Sequence, residues 1–392
     1  EAKLNQYKTT NIYPIASIFI ADNGEWIIWN EEGYYSASKK GAQYVGYHQN
    51  RGENKEAKFY PFGQFDLKYN RPDIILKELA IADANMIEFY HMAYLKRLKK
   101  MGLTEEQLSG DIHLPKIDII ENSLVGNKVK IKVSANDTKY KLERLNVFVN
   151  DVPIYGAKGQ KISGTNTFEK VFEIEVPDGK SVVEVSVLNN KGAESLREHI
   201  STNIKSTQKP NLYLVTIGTS DYKDDNFDLK YASKDANDVR NTMLYNEQFN
   251  KIHHKTILDN DVTIENIKTV KDFLKEASVD DVVILFIAGH GILDENFDYY
   301  YATHDIDFNN PSKRGIIYTE IENLLDGITA LKKILFMDTC HSGEVDKDDV
   351  AFVEEENEEE GDVVFRSAGA GVTTKKASGL RVSQELVKEL FS

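Results

Sequence analysis

A single cysteine, Cys340, stands in 392 residues. It cannot form an intramolecular disulfide, which excludes the secreted disulfide-scaffold class. It leaves one free thiol in a reducing, cytoplasmic setting. With one cysteine there is also no zinc-type Cys/His spacing. No run of about 18 apolar residues occurs, so no membrane-spanning helix is expected. Basic charge is in deficit: 48 Lys and Arg against 63 Asp and Glu leave a net charge of −15. Such a chain is not built to grip phosphate backbones or an anionic membrane, so neither nucleic acid nor membrane is expected as a partner, whereas a cationic substrate suits it. The opening EAKLNQYKTT lacks the basic-then-apolar order of a signal peptide, and it begins on Glu1 rather than methionine, as an excised fragment would. Apolar residues make up 41% of the chain, enough for packed cores. The length gives about two to three domains.

Three regions differ in pattern. Residues 1–110 form an aromatic-rich αβ module. An apolar stretch, IYPIASIFIAD, meets an Asn23-Gly24 turn and then Glu25–Trp29, a hairpin signal. Trp26 and Trp29 point to opposite faces of a regular strand, which calls for cover on both sides. Pro72 opens a helical pattern that runs to about Lys100, with an apolar stripe from Ile74 to Leu98. Residues 114–206 alternate apolar and polar positions in short runs such as KVKIKVSA and SVVEVSVLN, separated by Asn, Gly and Pro turns. This is the pattern of an all-β sandwich of immunoglobulin-like type. No residue constellation there carries chemistry, and its default role is a spacer or docking module.

Residues 208–392 change again. NLYLVTIG (211–218), VVILFIA (282–288) and KILFM (333–337) are wholly apolar runs. Helical patterns lie between them at 232–250, 264–276 (with Thr263 as N-cap) and 318–327. That alternation predicts a parallel α/β sheet covered on both faces. Sites in such sheets form at the carboxyl ends of the strands. Two of those ends run into Ala288-Gly289-His290-Gly291 and Asp338-Thr339-Cys340-His341-Ser342-Gly343, both read as polar, glycine-containing turns. A thiol needs an imidazole or other base to be a good nucleophile at neutral pH, and His290 supplies one. Glycine lets the backbone come close to a substrate. The backbone N–H groups of Gly291 and Cys340 are candidate donors to the oxyanion of an acyl intermediate. His341 is a competing base, disfavoured because neighbours in an extended chain point to opposite sides. His253 and His254 read as surface residues.

With these residues in view, the segment from 211 onward resembles a caspase-like cysteine peptidase of the metacaspase and bacterial orthocaspase branch. The matching elements are NLYLVTIG with Tyr222, LKYASKDA, VVILFIAGHG, YYYATHDID and ILFMDTCHSG. They cover most of the large-subunit part of that domain. The resemblance implies that Cys340 is the nucleophile, that His290 is the general acid/base, and that cleavage follows Arg or Lys rather than Asp. Asp235 and Asp338 then become the S1 carboxylates, two acidic groups that favour a guanidinium or ammonium and repel a P1 aspartate. By themselves Asp235 reads as a solvated helix residue and Asp338 as a turn acceptor. No cofactor is required. The acidic stretch 294–298 and the pair Asp305/Asp307 leave room for calcium, which some metacaspases need, though no EF-hand spacing is present.

An acidic activation loop is expected over 346–381. Its run of glutamates, 354–360, cannot bury itself and should be disordered beside the cleft. Arg366 is the expected self-processing site, in extended chain, with Lys375, Lys376 and Arg381 as fallbacks. Caspase-like domains continue into a smaller subunit that completes the sheet, so a small-subunit-like C-terminal fragment is expected as a partner. The stretch EWIIWNEEGYY…GYHQN…RPDIILKEL is similar to the segment following WD-repeat propellers in some bacterial caspase-like proteins, which implies an upstream propeller, a regulatory protein partner and a role in bacterial defence or cell death. The reading is therefore a cysteine endopeptidase. It competes with a catalytically silent caspase-fold scaffold, against which the intact Cys/His pair argues, and with another thiol hydrolase.

Overall fold

The computed structural model describes residues 14–49, 57–108, 113–205, 209–294, 296, 298–340, 364–367 and 370–373, with residues 49, 58, 340 and the last two segments described by their backbone alone. The chain divides into two compact units. One takes the chain up to Ile112 together with Asn190–Glu194; the other takes His113–Asn189 and the chain from Ser195 onward.

In the first unit β1 (Ala16–Ile20), β2 (Trp26–Asn30) and β3 (Tyr35–Ala37) form an antiparallel sheet. β4 (Gly46–Gln49) pairs with β5 (Lys58–Pro61) as a hairpin. Ile27, Tyr35 and Phe62 make the core, with Trp29 and Tyr47 packed against it. Among the described residues only one face of the sheet is covered: Ile18, Ile20 and Trp26 share the other and are exposed. The two-sided cover expected from the tryptophans is therefore not found among the described residues, because Trp29 reaches the aromatic core while Trp26 turns outward. After α1 (Asp66–Tyr69), the long helical pattern splits into α2 (Pro72–Leu79) and α3 (Ala84–Met101). Ala80 takes the left-handed conformation at φ 52°, and the Asp83 carboxylate accepts from Met86 N–H. A cap inside the pattern thus ends one helix and starts the next.

The second unit begins with a two-layer β-sandwich. β6 (Lys116–Val125), β7 (Lys128–Asn136) and β11 (Thr167–Glu175) form one sheet. β8 (Leu142–Val149), β9 (Val152–Pro153), β10 (Gln160–Lys161), β12 (Gly179–Asn189) and β13 (Glu198–Ile204) form the other. Alternate residues of both, among them Ile131, Val133, Leu145, Val147, Val185 and Val187, interdigitate as a single core.

The C-terminal layer is a mixed sheet. β14 (Leu212–Gly218) pairs in parallel with β15 (Ile252–Leu258) and with β16 (Val282–Leu293), which pairs in parallel with β19 (Lys332–Cys340). The far end of β16 turns antiparallel against β17 (Tyr299–Tyr301), which pairs with β18 (Ile316–Ile317). α4 (Ala232–Leu244) covers one face over Phe286 and Ala288. α5 (Ile264–Leu274) and α6 (Tyr318–Leu325) cover the other over Val215, Leu285 and Ile287. α4 ends six residues before the expected Asn250. Thr263 caps α5 by accepting from Asn266 N–H. His253 on β15 is half-buried and stacks on Tyr213 (4.6 Å, 12°), so it is a packing residue rather than a surface one. Finally β20 (Val364–Ser367) and β21 (Ala370–Thr373) form a two-stranded hairpin with Arg366 opposite Gly371. The rest of the expected activation loop, with Lys375, Lys376 and Arg381, lies outside the described residues, as does His341. Among the described residues no helix is long and apolar enough to cross a membrane.

Candidate active site

The apolar runs that end in His290 and Cys340 are longer strands than their composition suggests. β16 continues through Ala288-Gly289-His290-Gly291 to Leu293, and β19 through Asp338 and Thr339 to Cys340. The expected turn at His290 is therefore strand, because β19 pairs with His290 itself and β17 pairs with Gly291 to Leu293 just beyond it. The parallel register sets Ala288 beside Asp338, Gly289 beside Thr339 and His290 beside Cys340. Two residues 50 positions apart in the sequence thus stand on adjacent strands at the same height.

Three tyrosines hold this end of the sheet. The Tyr222 hydroxyl accepts from His290 N–H (3.0 Å). The Tyr301 hydroxyl donates to Ala288 carbonyl (2.9 Å) and shares a hydrogen bond with Thr219 (2.9 Å). The Tyr299 hydroxyl meets Thr339 Oγ1 at 2.5 Å, one residue before Cys340. Burial raises the pKa of Tyr222 and Tyr301, so both phenols stay neutral. Gly289, at φ +149°, has no room for a side chain: a Cβ there would lie 3.0 Å from both Tyr222 Oη and Tyr301 Cε2. Its smallness admits these tyrosines to the strand.

The His290 ring is half-buried in an aromatic box. Tyr222 lies at 5.1 Å, Phe308 at 5.6 Å and edge-on, and Phe227 at 6.3 Å and edge-on. Nε2 sits 2.8 Å from Phe227 carbonyl oxygen. A carbonyl can only accept, so Nε2 carries the hydrogen. In the neutral ring Nδ1 is then a bare base. Burial holds the imidazole pKa below its ordinary 6.5, against the opposing pull of the carbonyl. The ring is therefore neutral at physiological pH. Gly291 faces Tyr301, and Ala302 N–H donates to His290 carbonyl (2.9 Å). That bond makes Gly291 and Tyr301 a non-hydrogen-bonded pair, so the Gly291 N–H points away from β17, to the side where β19 ends.

Asp338 is exposed on β19 beside Ala288. Ala232 and Ala236 of α4 pack on that same alanine, and half-buried Asp235 lies between them in the first turn. Both carboxylates thus belong to the α4 side of the sheet at its carboxyl end. Of the acidic groups expected as calcium candidates, Asp294, Asp305 and Asp307 are engaged with protein, and Glu295 lies outside the described residues. Asp294 accepts from Asn296 and Asp298 N–H, Asp305 pairs with Arg314 (3.6 Å) and Asp307 with Lys313 (3.7 Å). Among the described residues no group of His, Cys, Asp and Glu could hold a metal ion.

Sequence reasoning missed Phe227 and Phe308. A backbone carbonyl has no residue type to find, and an aromatic residue in a polar loop has no periodicity.

Residues 213–383 match the family model of the caspase domain. No curated protein matches the chain. Among solved structures it is similar to the fibronectin(III)-like modules of Clostridium thermocellum CbhA, at 20% identity over 24% of this chain and 49% of that one, with a TM-score of 0.19. It is also similar to the PKD domain of an M14-like peptidase from a Thermoplasmatales archaeon, at 13% identity over 25% of this chain and 100% of that one, TM-score 0.18. A polysaccharide deacetylase from Bacillus cereus matches at 12% identity over 57% and 68%, TM-score 0.15. The chain spans about half the length of the first of these structures.

Proposed function

We propose that the C-terminal domain is a cysteine endopeptidase of the metacaspase type that cleaves after Arg or Lys. The observation that carries the reading is the His290–Cys340 register pair, with Nε2 of the histidine tied to a carbonyl. The match to the caspase domain supports it. Nδ1 takes the thiol proton and the thiolate attacks the scissile carbonyl carbon. The oxyanion accepts from Gly291 N–H, with Cys340 N–H as second donor. The imidazolium then protonates the leaving amine, and water, deprotonated by the same nitrogen, releases the acid and frees the thiol. Asp235 and Asp338 receive the basic P1 side chain.

The acidic segment after Cys340 is the self-processing region, with Arg366 as its cleavage site and Lys375, Lys376 and Arg381 behind it. The hairpin that pairs Arg366 with Gly371 must open first, and an isolated two-stranded hairpin is marginal in water. The sandwich is read as immunoglobulin-like. A small-subunit-like fragment, an upstream propeller, a regulatory partner, a cytoplasmic location and a defence or cell-death role belong to the same reading.

The test is turnover of fluorogenic peptides with Arg, Lys or Asp at P1, with and without calcium, by the parent and by Cys340→Ala. Cleavage after Arg and Lys that vanishes in the variant is expected. Efficient cleavage after Asp, or turnover that survives loss of the thiol, overturns it.

A further inference from the structure

Phe308 lies just beyond the YYYATHDID segment, and it touches His290 and both other rings around it. It lies flat on Phe227, centroids 3.6 Å and planes 8° apart, and meets His290 and Tyr222 edge-on. Phe227 needs such a clamp. Its carbonyl sits in a three-residue turn, Asp225–Phe227, whose Asp225 and Asn226 are exposed and which exposed Asp224 and Asp228 flank, outside any strand ladder. The two loops are joined beside the stack. His304 Nδ1 donates to Asp221 carbonyl (2.7 Å), and Lys223 N–H donates to His304 carbonyl (2.8 Å). The Asp259 carboxylate anchors the base of the first loop through Ser220 N–H (2.8 Å), Asp221 N–H (3.1 Å) and the Ser233 hydroxyl. Thr303 anchors the second by donating to Arg314 carbonyl (2.8 Å).

We propose that Phe308 is a positioning residue for His290: it presses Phe227 into place, so that the carbonyl keeps the hydrogen on Nε2, and it keeps water off the ring. This rests on the reading of His290 as the base. The groups facing the ring are Tyr222, Phe227 and Phe308, with Cys340 in register and Tyr301 and Asp338 on the adjoining strands. On the packing loops Asp228 accepts from Tyr222 N–H, Asp224 from Asn226, and Asp305 and Asp307 pair with Arg314 and Lys313; Asp225 lies in the same turn. A substitution at 308 changes none of these charges. A shift in titration therefore reports water reaching the imidazole, whose burial is what lowers its pKa.

The experiment compares Phe308→Ala, Phe308→Tyr and the parent, each as the full chain, on an Arg peptide across pH, alongside long-range ¹H–¹⁵N spectra of the imidazole assigned with His290→Gln. Phe308→Ala should lower kcat by at least about tenfold with KM within roughly twofold. It should also move the acid limb of kcat/KM upward, toward the ordinary 6.5, and turn a single Nε2–H tautomer into a mixture. Phe308→Tyr keeps the ring and should restore all three. Should Phe308→Ala melt below the assay temperature, Phe308→Leu, which keeps much of the bulk but not the flat stack, carries the same expectations for kcat and for the tautomer, with a smaller shift of the acid limb. Parent-like kcat, acid limb and tautomer in the alanine or leucine variant overturn the proposal. Turnover that survives Cys340→Ala overturns the dyad reading instead, and the tautomer of His290 still decides the role of Phe308.

Discussion

The sandwich and the C-terminal sheet are both built from apolar strands, but they bury them differently. β7 alternates buried and partly exposed residues along its length, whereas all seven residues of β14 are buried. A sandwich strand has one face for the core and one for water. A parallel strand under helices on both faces has none to spare, so its polar chemistry is confined to its ends. The sandwich meets the sheet at the opposite pole. Ala157 N–H donates to Asp326, just after α6, and Asp178 N–H donates to Asp280, just before β16. Leu331, just before β19, packs against the sandwich core. One region is therefore all packing, and the other divides packing from chemistry along each strand.

The largest effect that would sharpen this contrast is loss of the dyad. His290→Ala should reduce turnover by at least about a thousandfold, as Cys340→Ala should, and the double variant should be no worse, because the two act as a unit. Additive losses in peptide assays would mean that they act separately. In the sandwich, Leu145→Ala removes a fully buried side chain and should cost about 2–5 kcal/mol of stability. It should leave kcat of the folded protein unchanged. Thermal melts paired with kinetics check this, and a fall in kcat would break the separation between the two regions. At the edge of the site, Asp338→Asn and Asp235→Asn should weaken binding of basic peptides by about 1.5–3 kcal/mol, roughly tenfold to a hundredfold. Unchanged kinetics in both would put the S1 pocket elsewhere.

The smallest effect is on stability with pH. The pKa of His290 in the folded chain lies below its ordinary 6.5, so below that pH the unfolded chain binds more protons and folding weakens as pH falls. Its contribution to the slope fades over about a pH unit above 6.5, as the unfolded imidazole also loses its proton. His290→Gln should flatten that fall in denaturant titrations between pH 7 and 5, and an unchanged slope would assign it to other groups. Separately, mass spectrometry of the activated chain should find a new terminus at Ser367 that requires Cys340. An uncut chain with full activity would remove processing from the reading.

Much of the sheet, and the placing of His290 and Cys340 at the carboxyl ends of two of its strands, is legible in the sequence, because an apolar run that gives way to polar residues is a local pattern. NLYLVTIG carries its burial in its own composition, whereas the equally apolar KILFM leaves Ile334 and Phe336 exposed, so the two-sided cover expected of the sheet does not extend to β19 among the described residues. What needed the tertiary structure were the relations between such runs. That His290 stands in register with Cys340 depends on how β16 and β19 pair. That His290 lies in strand rather than turn depends on β19 pairing with it and on β17 taking over from Gly291. The hydrogen on Nε2 depends on a carbonyl 63 residues away, and the position of that carbonyl on a ring from a third loop. Composition and periodicity act over a few neighbouring residues and can mark a reactive group. The environment that sets its protonation is assembled from segments far apart in the chain, and only folding brings those together.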